Sequence, residues 1–351
     1  MIFWIPLAII ITVISYLGVS QIRSYVLKQD ILDIPNHRSS HKVPTPSGGG
    51  LVMVIAVLVG LLIYLFIYEP NELTTLGFYI FGAAAIALVS WIDDVRTLPA
   101  YIRFGIHFLC AGLVIWKISY FSSFTFPTLG TTFIGTFGVF FTFLWLSGLT
   151  NAYNFMDGID GIAGGQAAVA GLGWAIIGWW LDDPIIILWG ILIAFSALGF
   201  LFHNWSPATI FMGDVGSAFL GYTFATLPVF LYYRHANTEL GQYAILVGVL
   251  LVWPFILDAF FTFFRRLLKG ENVFKPHRSH LYQKLIISGY QHQFVSSLYI
   301  LLAFTALPLL WLAREDQPLT NIAFWIFLIS LVSFLFLFVF STKLKVNAIQ
   351  D

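Results

Sequence analysis

Charge is scarce in this 351-residue chain. Asp, Glu, Lys and Arg make up 10% of it, whereas they make up about a quarter of a typical soluble domain. Hydrophobic residues make up 59%, and the mean hydropathy is +0.87. This composition excludes a soluble globular class and indicates an integral membrane protein. The single cysteine, Cys110, excludes a disulfide framework within the chain.

Long apolar runs are abundant, and each approaches the roughly 20 residues that a helix needs to cross a bilayer. They do not alternate polar and apolar residues, so helices are favoured over a membrane β-barrel. The sequence predicts one all-α polytopic domain, 1–351, of about eleven transmembrane helices with active-site loops on one face. The runs cover roughly 2–20, 48–68, 74–92, 102–119, 134–152, 163–181, 184–202, 216–233, 241–263, 292–313 and 320–341.

The basic residues predict the orientation. Of the 17 Lys and Arg, all but Lys117, Arg234 and Arg314 fall on one side of these runs. Because cytoplasmic loops are enriched in Lys and Arg, that side is predicted to be cytoplasmic and the N-terminus periplasmic. No basic residue precedes the first run, so residues 2–20 are interpreted as a retained helix rather than a cleaved signal peptide.

Asp93 and Asp94 close the third apolar run on the predicted cytoplasmic side. Adjacent acids at a helix C-terminus oppose the helix dipole, so helix propensity does not explain them. Two solvated boundary charges are the simpler interpretation. The functional alternatives are a metal site or a general base acting on an anionic substrate.

Asn151, Asn154, Asp157 and Asp160 follow one another at intervals of three residues, which places them on one face if the segment is helical. Such a stripe is also typical of a polar seam between two helices. Glycines around the two acids permit a ligand to approach the backbone closely. We therefore expect the stripe to contact a nucleobase or to supply oxygen ligands to a hard cation.

Asp214 lies between Gly213 and Gly216 at the entry to the eighth apolar run. An Asp in this place is often only a helix cap. Its position beside the other polar motifs favours a role as an oxygen ligand for Mg²⁺ or Mn²⁺.

The most basic loop contains His277, Arg278 and His280. Zinc is disfavoured because neither cysteines nor an HExxH motif accompanies the histidines. The loop is predicted to bind phosphate, with a purely topological role as the alternative. A second basic group follows the first run and precedes Thr45, and its members are Arg38, His41 and Lys42. Asp258, inside the ninth run, is predicted to make an interhelical or supporting contact.

Taken in order from about residue 38 to 282, these motifs resemble the polyprenyl-phosphate N-acetylhexosamine-1-phosphate transferases. The quoted segments are Asp93-Asp94, NAYNFMDGIDG (151–161), NWSPATIFMGDVGS (204–217) and PHRSH (276–280). The family includes the murein phospho-MurNAc-pentapeptide transferase, which has consecutive histidines in its last loop. The PHRSH segment departs from that pattern and looks more like the enzymes that initiate O-antigen synthesis.

The resemblance implies a role for each matching residue. Asp93 and Asp94 match acids that act on the lipid phosphate, Asp157 and Asp160 match acids lining the nucleotide site, and these four are the catalytic candidates. Asp214, assisted by Asn154, is the implied Mg²⁺ ligand. The remaining substrate-binding candidates are Arg38, His41, Lys42, Thr45, Asn151, Asn154, Asn204, Phe211, His277, Arg278 and His280.

The implied reaction transfers an N-acetylhexosamine-1-phosphate from a UDP-sugar to undecaprenyl phosphate in the bacterial inner membrane and releases UMP. The expected cofactor is Mg²⁺, with Mn²⁺ as a substitute. The expected partners are the UDP-N-acetylamino sugar, undecaprenyl phosphate and membrane lipid, without nucleic acid; a homodimer is left open. The murein enzyme and a cation- or proton-coupled transporter are the alternatives. The acids lie at span boundaries rather than at the midplane that transporters favour.

Overall fold

The computed structural model describes residues 4–35, 43–126, 130–272 and 277–315, the last five by their backbone alone. Its long helices are α1 (Trp4–Lys28), α2 (Leu51–Tyr68), α3 (Leu73–Val95), α4 (Ala100–Lys117), α5 (Gly138–Met156), α6 (Ile162–Trp180), α7 (Pro184–Asn204) and α8 (Asp214–His235). They are followed by α9 (Glu239–Gln242), α10 (Ala244–Leu251), α11 (Trp253–Leu268), α12 (Leu281–Ile287), α13 (His292–Phe304) and α14 (Ala306–Glu315).

Two small antiparallel sheets accompany the helices. β1 (Leu32–Asp33) pairs with β2 (Thr45–Pro46), and β3 (Ser123–Phe126) forms a hairpin with β4 (Gly130–Phe133). Short 3-10 turns cover Pro70–Glu72 and Gly135–Phe137. The sequence patterns did not predict either sheet.

Eight helical stretches within the described residues are long and apolar enough to cross a membrane. They are α1, α2, α3 with its preceding turn, α4, α6, α7, α8, and α13 continued into α14 as far as Leu310. The all-α polytopic class is therefore confirmed, and the protein is a multi-pass membrane protein. The predicted count of about eleven is not confirmed, and the predicted run 320–341 lies outside the described residues. α5 has the length of a span, 19 residues, but carries polar side chains in its second half.

The stretch predicted as one helix over 241–263 is broken in the structure. α10 and α11 meet at an angle of 85°. Pro254 lies in the first turn of α11, where its missing N–H is tolerated but where it cannot continue the ladder of the preceding helix. The break turns α11 back towards α5, with which it packs.

α8 is the most enclosed span: 94% of its apolar window is buried, against 72% for α6 and for α7. Glycines permit close packing between helices of the bundle. A Cβ on Gly171 would lie 2.6 Å from the backbone nitrogen of Ala194, so α6 and α7 approach nearly backbone to backbone. The starts of α2 and α8 also touch, because any Cβ on Gly50 would overlap the backbone of Gly216.

The helix ends that carry the predicted motifs meet on one side of the bundle. The backbone N–H of Gly161, before α6, donates to the Asn204 side chain at the end of α7 (2.9 Å). The N–H of Gly49, before α2, donates to the carbonyl of Phe211, just before α8 (2.9 Å). Distant parts of the sequence are thus assembled into one polar face.

Candidate active site

A cavity of about 1140 Å³ opens on this face. Most of the predicted site residues line it: Asp93, Asp94, Asn151, Asn154, Asp157, Asp160, Asn204, Phe211, Asp214, His277 and His280. Thr45 and Arg278 are not among the lining residues; the Thr45 hydroxyl donates to the carbonyl of Val43 (3.0 Å). Arg38, His41 and Lys42 lie outside the described residues.

Asp93 and Asp94, although adjacent, make different contacts. One oxygen of Asp93 accepts the backbone N–H of Leu98 (2.6 Å), and the other contacts Arg103. Both oxygens of Asp94 accept backbone N–H groups at the start of α8, from Asp214 (2.9 Å) and Val215 (3.1 Å). Asp94 therefore caps α8 from a neighbouring helix, which is favourable because a helix N-terminus carries partial positive charge.

Gly213 makes this cap possible. Its φ of 78° lies in the left-handed region, and a Cβ there would lie 2.6 Å from Oδ2 of Asp94. Any side chain would therefore displace the carboxylate or strain the backbone. This geometry favours a positioning role for Asp94 rather than the role of a free base.

Arg103 is a site residue that the motif analysis missed. A single nitrogen, Nη1, bridges Oδ2 of Asp93 (2.6 Å) and Oδ2 of Asp214 (2.9 Å). The arginine lies on the first turn of α4, where a basic residue at a membrane boundary carries little information of its own. The available signal was that Arg103 follows Asp93 by only ten residues, across a short loop, so that the two side chains can meet.

The predicted helical stripe is only half helical. Asn151 and Asn154 lie on α5, but α5 ends at Met156, so Asp157 and Asp160 lie in the loop before α6. The Asn151 amide donates to its own helix at the Ser147 carbonyl (2.7 Å). The Asn154 amide donates to the hydroxyl of Ser217 on α8 (3.0 Å) and lies beside the Asp214 carboxylate.

The two loop acids differ in their electrostatic environment. Burial would raise the pKa of Asp160, but hydrogen bonding with His292 (3.3 Å) and with the N–H of Ala208 (3.2 Å) outweighs it, and the pKa lies below its usual value. Burial, together with the charges of Asp214 and Asp160, raises the pKa of Asp157 to about 8. Asp157 is therefore the acid whose charge is least compensated in this loop.

Asn204 holds the loops together. Its carbonyl oxygen accepts from Gly161, and its amide donates to the Ile210 carbonyl (3.0 Å). The residue lines the cavity, but both ends of its side chain are used within the protein. Asn204 therefore stabilises the shape of the site. Its hydrogen bonds give less support to the predicted role in substrate binding.

The histidine loop is anchored by Asp258. This buried carboxylate accepts from the N–H groups of Leu281 (2.8 Å) and Tyr282 (3.1 Å), and from the Tyr299 hydroxyl (2.7 Å). It also contacts Nδ1 of His280 (3.2 Å). Asp258 thus caps α12 and fixes the His280 ring, which is the supporting kind of contact expected from the sequence.

His277 stacks on His280 with 5.1 Å between ring centroids. Burial, followed by the neighbouring His280 and Arg266, lowers the pKa of His277 to about 4. At neutral pH this imidazole is uncharged, so it offers a hydrogen bond rather than a full charge to an anionic ligand.

A metal would find oxygen ligands here, although no group of three His, Cys, Asp or Glu in the described chain has a metal-binding arrangement. Mg²⁺ in phosphate-transfer sites commonly takes one or two carboxylates and leaves its other positions to water and substrate phosphates. Asp214 and Asn154 provide such a partial set. Burial and then the charges of Asp214 and Asp160 raise the pKa of Asp157, and a cation in the cavity would offset these effects. The residues therefore fit a divalent metal.

A smaller cavity of about 320 Å³ adjoins the first between α5 and α11. The two cavities share Leu144, Gly148, Asn151, Phe155, Phe263 and the two histidines. The further walls of the smaller cavity are mostly apolar: Trp145, Leu149, Ala152, Ile256, Ala259 and Phe260. The polar site therefore adjoins a groove whose walls are mostly apolar.

Comparison with known proteins agrees with these features. The model of glycosyl transferase family 4 matches residues 76–232. A probable undecaprenyl-phosphate N-acetylglucosaminyl 1-phosphate transferase of Bacillus subtilis (strain 168) is 30% identical over 291 residues, 82% of this chain and 79% of that protein. A decaprenyl-phosphate N-acetylglucosaminephosphotransferase of Mycobacterium leprae (strain TN) is 27% identical over 310 residues, 80% of this chain and 76% of that protein.

The murein branch is also similar, over a shorter stretch. A phospho-N-acetylmuramoyl-pentapeptide-transferase of Staphylococcus haemolyticus (strain JCSC1435) is 30% identical over 227 residues, 60% of this chain and 68% of that protein. The order of the motifs, the cavity that they line and the extent of these matches lead to one assignment. The chain belongs to the family of polyprenyl-phosphate N-acetylhexosamine-1-phosphate transferases.

Proposed function

We propose that this enzyme transfers an N-acetylhexosamine-1-phosphate from a UDP-sugar to undecaprenyl phosphate and releases UMP, at the cytoplasmic face of the bacterial inner membrane. The observation that carries the proposal is the surplus of acids in the cavity. Six aspartates line it, and Arg103 is the one Arg or Lys among the described lining residues. The six are Asp33, Asp93, Asp94, Asp157, Asp160 and Asp214. Such a cavity attracts a divalent cation, which would in turn favour the binding of anionic phosphates.

The acceptor lipid has its phosphate near Arg103 and its hydrocarbon tail along the apolar wall that α4 and α5 form with Phe108, Phe143 and Leu144. Phe108 and Leu144 in this wall are 45% and 50% exposed, as expected of a surface that a hydrocarbon chain covers. Arg38, His41 and Lys42 are proposed to approach the lipid head, in keeping with their place in the sequence.

The donor nucleotide lies on the other side of the cavity. His277 and His280 bind its phosphates from the cavity wall, Arg278 approaches them from the same loop, and Phe211 stacks on uracil. Asp157 and Asp160 line the same part of the site. The loop network around Asn204 keeps these groups in place.

In the reaction, an oxygen of the lipid phosphate attacks the β-phosphorus of the UDP-sugar. The bond between that phosphorus and the bridging oxygen breaks, and UMP leaves with the electron pair. Arg103, held between Asp93 and Asp214, neutralises charge on the reacting phosphates. A bound Mg²⁺, held by Asp214 and Asn154, would supply further charge neutralisation on the diphosphate oxygens. A phosphate monoester is largely ionised near neutral pH, so positioning matters more than a general base.

The sugar is proposed to be N-acetylglucosamine or a related N-acetylhexosamine, since two relatives are named for N-acetylglucosamine phosphate transfer. The product would begin O-antigen or a related cell-envelope polysaccharide. A panel of UDP-N-acetylamino sugars and UDP-MurNAc-pentapeptide, given to purified protein with undecaprenyl phosphate and Mg²⁺, separates these substrates. Preference for the pentapeptide donor would overturn the choice of a small amino sugar.

The reaction itself is tested by exchange. One phosphoanhydride replaces another, so the transfer is readily reversible. Purified enzyme in detergent should incorporate labelled UMP into UDP-sugar when Mg²⁺ and lipid-linked product are present. Protein that shows no such exchange with any donor, yet moves a solute into sealed vesicles, would be a transporter instead.

The orientation is tested by cysteine labelling in a Cys110→Ala background. A cysteine at exposed Thr97, beside the site, should react with an impermeant thiol reagent only after the inner membrane is opened. A cysteine at exposed Thr131, in the β3–β4 hairpin on the opposite side, should react in intact cells. The reverse pattern would place the site outside.

A further inference from the structure

His107 is a buried polar residue that the proposed chemistry does not yet use. It lies on α4, is 6% exposed, and lines the large cavity. Neither ring nitrogen has a hydrogen-bond partner among the described residues. Leaving a buried donor unsatisfied is costly, so an imidazole in this position indicates that something absent from the protein alone contacts it.

The position of His107 connects it to the site. It follows Arg103 by four residues, so the two side chains share a face of α4 about 6 Å apart along the helix. Asn151 approaches from α5, and its amide lies beside the imidazole without reaching hydrogen-bond geometry. The Phe104 ring packs against the imidazole edge, with 6.5 Å between centroids.

The cavity wall changes character at His107. Towards the start of α4 the wall is ionic, with Arg103 and its two aspartates. Further along the helix it becomes apolar, lined by Phe108 and, from α5, by Phe143 and Leu144. This order matches an amphiphile with an anionic head and a hydrocarbon tail. A nucleotide sugar has no apolar part of that kind.

We infer that His107 is a binding residue for the acceptor lipid: its ring donates a hydrogen bond to a phosphate oxygen of the prenyl phosphate. This contact satisfies the buried imidazole and sets how deeply the phosphate lies relative to Arg103. The inference rests on the proposed function and adds a specific acceptor contact to it.

The test compares His107→Gln, which keeps a neutral donor, with His107→Leu and His107→Phe, which do not. Loss of one hydrogen bond to a charged group should raise the KM for undecaprenyl phosphate about tenfold in the Leu and Phe variants. The KM for the UDP-sugar should change by less than about twofold, and the Gln variant should resemble the wild type. Leu109→Ala is the matched control, because Leu109 on the same helix is 67% exposed and does not line the cavity.

An acceptor with a shortened prenyl chain shows whether His107 contacts the phosphate head or the hydrocarbon tail. If His107 contacts the phosphate, the Leu variant should lose the same factor with short-chain and long-chain acceptors. A penalty seen only with the long chain would overturn the assignment, as would an unchanged acceptor KM or a rise in donor KM instead.

The rise in Tm on ligand binding is a second measurement, which does not depend on turnover and can be made on variants of reduced stability. Undecaprenyl phosphate alone should raise the Tm of the wild type and of His107→Gln, and should raise that of His107→Phe much less. Equal stabilisation of all three would refute the inference. Absence of transfer by the wild type with every donor would instead refute the proposed function.

Discussion

The two ends of α8 carry ionic clusters built from the same residue types, and the comparison shows what separates a structural cluster from a site. Each contains an arginine between two carboxylates and an aspartate that caps a helix. The site cluster consists of Asp93, Asp94, Arg103 and Asp214, and the distal cluster consists of Glu72, Asp183, Arg234 and His235.

The distal cluster is balanced. One oxygen of Asp183 accepts the N–H groups of Ile185 (3.0 Å) and Ile186 at the start of α7. The other contacts Arg234 and His235, each at 2.8 Å, and Arg234 also contacts Glu72. Burial would raise the pKa of Asp183, but His235 and Arg234 outweigh it and lower the pKa. Each acid of this cluster therefore has a basic side chain as a partner.

In the site cluster the acids are not all paired with a basic group. Arg103 contacts Asp93 and Asp214, whereas both oxygens of Asp94 accept backbone N–H groups, and the same cavity contains Asp157 and Asp160. Balanced charge therefore accompanies a closed structural contact, whereas surplus negative charge accompanies an open cavity. The same residue types serve structure at one end of a helix and chemistry at the other.

The largest expected effect comes from Asp214→Asn. It removes the charge of the proposed metal ligand with little change in size, so kcat should fall by about a thousandfold while the protein remains folded in the membrane. Turnover in detergent at several Mg²⁺ concentrations measures the effect.

Asp182→Asn is the control for that loss. Asp182 is exposed on the distal side, so the same substitution there should leave turnover unchanged. Near-normal turnover of Asp214→Asn at limiting Mg²⁺ would contradict the metal assignment.

The distal cluster should respond in the opposite way. Asp183→Asn keeps an oxygen for the α7 cap but breaks a buried ion pair, so it should destabilise the protein by about 3 kcal/mol and lower Tm with little change in kcat at permissive temperature. Because the folded pKa of Asp183 is lowered, its charge stabilises the protein above the ordinary pKa, and this contribution is lost as pH falls through the folded value. The Tm difference from wild type should persist down to about pH 4 and disappear below it. A pH-independent difference, or an equal effect of Asp182→Asn, would show that the charge is not responsible.

The membrane spans were predictable because continuous apolar runs directly reflect the bilayer. The run 48–68 became α2, Leu51–Tyr68, and the run 184–202 became α7, Pro184–Asn204. The break before α11 was not predicted, although Pro254 supplied a signal in an otherwise uninterrupted run. The β3–β4 hairpin was also not predicted, because strands of four residues are too short to show a clear alternation of polar and apolar residues.

The site was predictable as a set of residues but not as a set of contacts. Carboxylates near a bilayer are rare, so Asp93, Asp94 and Asp214 were conspicuous. Nothing in the sequence showed that both oxygens of Asp94 accept N–H groups at the start of α8, because that contact joins segments 120 residues apart. Arg103 was overlooked for the related reason that its partners are defined only by the fold.

Asp258 is a third aspartate that caps a helix, and its substitution is expected to have a smaller effect. Asp258 caps α12 as Asp183 caps α7, but α12 follows the proposed nucleotide-binding histidines. Asp258→Asn should loosen the His280 ring and raise the KM for the UDP-sugar about tenfold, while the KM for the lipid changes little.

The matched variant for this effect is Tyr299→Phe, which removes one hydrogen bond to Asp258 and leaves the α12 cap intact. It should lower Tm without the donor-specific change in KM. Equal increases in both KM values for Asp258→Asn would indicate general loss of structure rather than positioning of the histidine loop.

The smallest effect distinguishes the two arginines by their geometry. Arg103 contacts both of its aspartates through Nη1 alone, so the ammonium group of lysine can replace it as a point charge. Arg234 uses Nε for Asp183 and Nη1 for Glu72, and a lysine lacks that fork. Arg103→Lys should therefore keep kcat within about threefold, whereas Arg234→Lys should cost about 1 kcal/mol of stability and leave kcat unchanged. Turnover and Tm measured on both variants decide the matter. A severe loss of turnover in Arg103→Lys, with Tm unchanged, would mean that the guanidinium itself binds phosphate through its other nitrogens, and the role of Arg103 would extend beyond charge.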